Sequence, residues 1–151
     1  MVAKVDSRAK GARIEAQIKK VLKERTGLNW ERIPSSGALD AKHGLKGDLY
    51  VPGEGNLFCV EVKGYKDDHI NSGLLTHKTP QIEEWVIQAR RQGVQVDKKW
   101  LLIFKFDRSK IFVCFEDEPI EEYRYIYYSH LNVYMALLDD WLEDNPKFIK
   151  V

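Results

Sequence analysis

An α/β fold, a mixed central β-sheet flanked by helices, is what the 151-residue sequence predicts. Three observations predict it. Apolar residues recur at helical spacing near the start and in the middle of the chain, at Ile14, Ile18, Val21 and Leu22 and then at Ile82, Trp85, Val86 and Ala89. Short apolar runs bounded by turn residues read as strands. Those runs come in hairpins, which exclude a purely parallel sheet.

In chain order, the first helix spans roughly 8–26, with Gly27 as its C-terminal cap. A short stretch at Trp30–Ile33 follows, then a loop of small residues, Pro34-Ser35-Ser36-Gly37-Ala38. Leu49–Val51 and Leu57–Lys63 form a strand pair around the turn Pro52-Gly53-Glu54-Gly55-Asn56. A polar segment, 64–78, leads to Thr79-Pro80, read as an N-cap and a first-turn proline. The second helix follows and stops near Gly93. Trp100–Phe106 and Ile111–Phe115 make a second hairpin, and Tyr123–Tyr128 is a further strand. A last helix over about 130–143 aligns Leu131, Tyr134, Leu137, Leu138 and Trp141. The order is α-β-β-β-α-β-β-β-α, in a single domain covering 1–151.

Composition narrows the class. With 44% apolar and 31% charged residues the chain is expected to be an ordinary soluble protein of the cytoplasm, or of a host's cytoplasm if viral. No apolar run reaches the roughly 18 residues of a membrane span, and the start lacks a signal-peptide stretch. Cys59 and Cys114 lie in apolar strands without metal-type spacing, so buried, reduced thiols are expected. Net charge is only +1, yet residues 1–30 carry eight Lys/Arg against three Asp/Glu, and residues 116–151 carry three against nine. Such asymmetry suits a basic face for a polyanion, or simply a solvated basic helix and an acidic tail. Lys10, Arg13, Lys19 and Arg32 are the candidate phosphate contacts.

The stretch Cys59-Val60-Glu61-Val62-Lys63 carries the chemistry. On an extended strand Phe58, Val60 and Val62 share one face, and Cys59, Glu61 and Lys63 share the other. Asp48 begins the preceding hairpin strand, so the turn brings a second carboxylate alongside Glu61. Two half-buried carboxylates repel unless a positive charge lies between them, and an oxygen-seeking divalent cation such as Mg²⁺ fits there. A solvated, charged sheet face is the alternative. Glu15 adds a third carboxylate, bordering the buried face of the first helix. One turn earlier stands Gly11, unfavourable within a helix by about 1 kcal/mol relative to alanine. A close approach by a DNA backbone or by the sheet, or a frayed helix start, explains it.

Taken together, Glu15, Gly47-Asp48 and Glu61-Val62-Lys63 resemble the PD-(D/E)xK nuclease superfamily, with glycine where the motif's name has proline. Within it, Lys10-Gly11 ahead of Glu15 and the loop Arg32-Ile33-Pro34-Ser35-Ser36-Gly37 look like those of the Holliday-junction resolvases of archaea and their viruses. Gln81 is similar to a glutamine that follows the catalytic strand. The likeness covers roughly residues 8–115. Asp40–Lys46 is less basic than in that family, and the loop 64–78 is longer.

The resemblance implies a restriction-endonuclease-like fold and hydrolysis of DNA with Mg²⁺, for which Mn²⁺ can substitute. It implies Asp48, Glu61 and the Val62 carbonyl as metal ligands, with Glu15 serving a second metal or its water. Lys63 would orient the attacking water or stabilise the phosphorane, and Ser36 would hold a nearby phosphate. Lys10, Gly11, Arg13, Lys19, Arg32, Ser35, Ser36 and Gln81 form the expected DNA-binding set. Branched DNA, four-way junctions above all, is the expected partner of a homodimer whose interface uses Tyr123–Tyr128 or the second hairpin.

Other residues are set aside. His69 and His77 lie in a polar loop without zinc spacing. Tyr123, Tyr125 and Tyr127 alternate on one strand face and suit packing better than base stacking. Lys105 suits either a phosphate or solvent. Two other functions compete: a repair or restriction-type endonuclease on linear, mismatched or flapped DNA, and a non-catalytic DNA-binding module of the same fold.

Overall fold

The computed structural model describes residues 7–34, 46–66, 70–76 and 80–150, with side chains from Lys10 onward at the start of the chain. Its elements are α1 (Ser7–Thr26), β1 (Glu31–Arg32), β2 (Leu49–Tyr50), β3 (Phe58–Tyr65), α2 (Gly73–Thr76) and α3 (Gln81–Gln95). There follow β4 (Lys99–Phe106), β5 (Ile111–Phe115), β6 (Tyr125–Tyr128), β7 (Val133–Leu137), α4 (Leu138–Trp141) and a 3₁₀ turn, Leu142–Asp144. The strands form one sheet of order β1-β2-β3-β4-β5-β7-β6. β3 and β4 are parallel, joined through α3, and the other neighbours are antiparallel. The mixed sheet flanked by helices is therefore present.

Alternation along the central strands sorts the core into two layers. Val60, Val62, Leu101 and Ile103 pack on the Ile14, Ile18 and Leu22 stripe of α1. Leu102, Phe104 and Phe106 pack with Ile82, Trp85, Val86 and Ala89 of α3. Covered on both faces, β4 reads as the near-continuous apolar run Trp100–Phe104, which periodicity alone could not orient. Fully burying one such Leu or Ile contributes roughly 1.5–3 kcal/mol. Cys59 and Cys114 are buried free thiols.

Three expectations need correction. The last helix over 130–143 is a turn, then the strand β7, then only the short α4 and its 3₁₀ turn. Leu131, Tyr134, Leu138 and Trp141 do fit a helix, but Val133 and Met135 alternate equally well. Pairing with β5 on one side and β6 on the other decides for the strand. The polar segment 64–78 contains α2, which the order above omits. Pro80 itself occupies the cap position of α3 and makes no side-chain cap hydrogen bond, while Thr79 lies outside the described residues. α3 ends at Gln95, near Gly93 as expected.

Candidate active site

The site is assembled on the outer edge of β3, where β2 stops short. Pairing between these strands reaches only Leu49–Val60. Odd-numbered residues of β3 bond towards β4: the Lys99 N–H donates to the Leu57 carbonyl (3.2 Å) and the Asp107 N–H to the Tyr65 carbonyl (3.1 Å). Even-numbered ones face β2, since the Asp48 N–H donates to the Val60 carbonyl (2.7 Å). The same alternation aims the Val62 carbonyl at an edge that no strand covers among the described residues. Asp48 fills part of that gap, its Oδ2 accepting the Val62 N–H at 2.7 Å.

Two glycines allow this approach. Gly47 adopts φ 95°, and a Cβ there would collide with the Val60 carbonyl oxygen. Proline, fixed near φ −65°, could not take this place, which is why glycine stands where the motif's name has proline. At Gly64 a Cβ would overlap Ile14 Cδ1, so its absence seats α1 closely on β3. Glu15, the next residue of α1, then lies beside Asp48. Gly47→Ala should lower stability by roughly 1–3 kcal/mol in urea unfolding and slow any cleavage with it. Unchanged stability would mean that the turn relaxes freely.

Three carboxyls from two sheet faces thus meet at one edge. Glu61 is only 5% exposed, on the α3 face. The solvated-face alternative is excluded for it. Lys63 Nζ lies 3.4 Å from its Oε1, and Gln88 Nε2 donates to the same oxygen at 3.5 Å. Glu15, on the α1 face, has its Oε2 3.1 Å from Arg32 Nε. That oxygen is buried and accepts no well-aligned hydrogen bond among the described residues. Burial first, then the charge of Asp48, pushes Glu15 and Glu61 up to about 7 from 4.5. Asp48 is also raised, by burial, against the lowering pull of the Val62 N–H.

As they stand, no three acidic, His or Cys side chains among the described residues converge on a single point. Arg32 draws Glu15, the Val62 amide draws Asp48, and Lys63 draws Glu61. The donor set nevertheless fits a hard divalent cation in its chemistry. It is all oxygen, its three carboxyls outnumber the paired cations, and the buried Glu15 Oε2 accepts no well-aligned hydrogen bond among the described residues.

The structure brings together Glu15, Arg32, Asp48, Glu61, Val62 and Lys63, and Lys19 lines the same pocket as Glu15 and Arg32. Lys10 Nζ pairs with Asp107 at 2.8 Å, and Lys19 lies 3.9 Å from Glu31. Arg13 is exposed. Gly11 is also exposed, and a Cβ there would meet nothing within 4 Å, so packing on the sheet does not explain it. Gln81 donates locally to Glu84 at 3.3 Å. It is Gln88, seven residues on and so on the same helix face, that reaches Glu61. Counting two helical turns on from Gln81 could have found it. Ser35, Ser36, His69 and His77 lie outside the described residues. Tyr125 and Tyr127 pack on Tyr134, with ring centroids 5.5 Å and 4.9 Å away, and Tyr123 donates to Asp144 at 2.9 Å.

Comparison with known proteins identifies the family. Residues 6–141 match a family model described as "Phage putative PDDEXK endonuclease". Protein D14 of Escherichia phage T5 is 40% identical over 148 residues, spanning 91% of this chain and 92% of that protein. The solved structure of Hjc, a Holliday junction resolvase of Archaeoglobus fulgidus, superposes with a TM-score of 0.41 at 15% identity, over 87% of this chain and 91% of that one.

Proposed function

This chain belongs to the phage PD-(D/E)xK endonuclease family, and on that premise we propose that it is a metal-dependent endonuclease resolving four-way DNA junctions by paired, symmetric phosphodiester hydrolysis. The observation that carries the nuclease part is the gathering of Glu15, Asp48, Glu61 and Lys63 at an edge of β3 that no strand covers among the described residues. Its preference for junctions rests on the Lys10-Gly11…Glu15 and Arg32-to-Gly37 motifs. Mg²⁺, or Mn²⁺ in its place, held by Asp48, Glu61, the Val62 carbonyl and Glu15, would lower the pKa of water and neutralise the phosphate. Lys63 holds a positive charge within reach of Glu61 and of an incoming phosphate. Gln88 donates to the same Glu61 oxygen that Lys63 approaches, helping to orient the carboxylate. Arg32 occupies Glu15 and is exchangeable for a phosphate, being itself exposed. Phosphate and backbone contacts of this kind read the shape of a junction rather than its bases.

The substrate has two-fold symmetry and each chain offers one site, so the active species is a homodimer acting in a host's cytoplasm. No described helix is long and apolar enough to cross a membrane. Of the two surfaces expected at the interface, the second hairpin is largely buried under α1 and α3. β6 is left, an edge strand whose Tyr125, Ile126 and Tyr127 are 44–50% exposed. A supercoiled plasmid bearing a cruciform tests the reading. Linear product formed directly, without a nicked intermediate, is expected in Mg²⁺. Nicked circles alone, or equal cleavage of the linear arms, would favour the linear-duplex nuclease instead. Binding with no cleavage in either metal would favour the non-catalytic module.

A further inference from the structure

We infer that the β4–β5 turn, Asp107-Arg108-Ser109-Lys110, is a second phosphate-binding surface, engaging the DNA backbone two to three nucleotides from the scissile phosphate. The inference rests on the nuclease reading and extends it to residues outside the catalytic edge. Placement comes first. β3 and β4 are parallel and in register, Tyr65 opposite Phe106, and the Asp107 N–H donates to the Tyr65 carbonyl at 3.1 Å. The turn therefore lies directly beyond the strand end that carries Lys63. Two residue steps along the strand lead from Lys63 to Tyr65, or roughly 7 Å at about 3.3 Å per residue. The turn adds a few ångströms more. Against a rise of about 3.4 Å per nucleotide, that is a reach of two to three nucleotides.

Charge supports the placement. Lys10, from α1, pairs with Asp107 at 2.8 Å, and Lys105 and Lys66 act on the same carboxylate. Arg108 and Lys110 stand on the turn, both exposed. Three cations thus act on the Asp107 carboxylate, and two more stand on the same turn. Of the other acids near the turn, Asp139 is already bonded to Arg25 at 2.7 Å. Glu15, Asp48 and Glu61 belong to the catalytic edge. Conformation points the same way. Arg108 sits at φ 63°, a left-handed position where glycine or asparagine is at ease and arginine is not. The turn itself is held without its side chain, through Ser109 Oγ, which accepts the Phe106 N–H at 3.0 Å. A cation kept where the backbone disfavours it, on the rim of a nuclease site, serves an anion better than it serves the fold. Asp107 then acts as a placeholder, holding Lys10 against the turn until phosphate displaces it.

Junction binding measured by fluorescence anisotropy without divalent cation, across a salt series, tests this. Arg108→Gln/Lys110→Gln is expected to weaken binding roughly tenfold at moderate salt and to lower the salt slope by about 2. Asp107→Asn, by contrast, is expected to tighten binding several-fold. Lys147→Gln/Lys150→Gln, near the opposite end of β3, should change neither quantity. Circular dichroism confirms folding, and the exposed turn makes misfolding a separable result. If wild-type protein binds DNA but the turn variant matches it in affinity and slope, or Asp107→Asn loses affinity, the second surface is refuted and the nuclease reading stands. If wild-type protein binds no DNA, the nuclease reading fails with it.

Discussion

Replacing Asp48 by Asn, or Glu61 by Gln, is expected to remove cleavage while leaving DNA binding intact or tighter. Each change keeps the side chain's shape and removes a negative charge from a cation-seeking edge. Losing one preorganised charge-stabilising group typically costs roughly 10²–10³-fold in rate, and a group that also holds the metal should cost at least that much. Binding follows the opposite sign. Glu15, Asp48 and Glu61 repel phosphate in the absence of a cation, so neutralising one of them lowers the repulsion. Asp48 also organises backbone by accepting the Val62 N–H, and an asparagine can present its carbonyl oxygen to the same donor. Single-turnover cleavage in Mg²⁺ and anisotropy in its absence separate the two effects. Cleavage by Asp48→Asn at the wild-type rate would place the chemistry elsewhere in the molecule. Gln88→Ala should cost far less, because it acts only through Glu61.

Much of this site was legible before any coordinates. Alternation alone placed Val60 and Val62 in the core and Glu61 and Lys63 on the other face, and the hairpin turn at 52–56 brought Asp48 alongside. Such local rules hold because β3 is long and its neighbours in sequence are also its neighbours in space. What stayed hidden depends on distant contacts. The Glu15–Arg32 pair joins α1 to β1, and the Lys10–Asp107 pair joins α1 to a turn nearly a hundred residues away. Neither leaves a spacing signal. Both pair, in the free protein, residues that charge alone would count as open phosphate contacts. β7 was misread because five residues satisfy both periods, and only its two partner strands choose between them. Residue type alone does not separate Gln88 from Gln81, whereas depth along α3 decides which glutamine meets Glu61.

Without divalent cation the protein should lose stability as pH rises from about 5 to 8, and divalent cation should restore it. Glu15 and Glu61 titrate near 7 in the folded chain, against 4.5 when unperturbed. Between those values the folded state holds more protons than the unfolded one, so its stability must fall with increasing pH. The contribution is fully present below about 4.5 and is lost as pH passes through about 7. Asp48, raised in the same direction, adds to the effect. A cation at the edge replaces the protons, so Mg²⁺ should raise the melting temperature clearly at pH 8 and hardly at pH 5. Glu61→Gln should flatten the profile and make the metal-free protein more stable than wild type at pH 8, because a neutral amide carries no ionisation cost in that buried place. Melting curves in chelator across this range, repeated with Mg²⁺, measure all three effects. A metal-free melting temperature that rises towards pH 8, or a Glu61→Gln variant that melts earlier than wild type there, would show that Arg32 and Lys63 already compensate the carboxylates. The edge of β3 would then be a structural ion-pair cluster rather than a site held open for a cation.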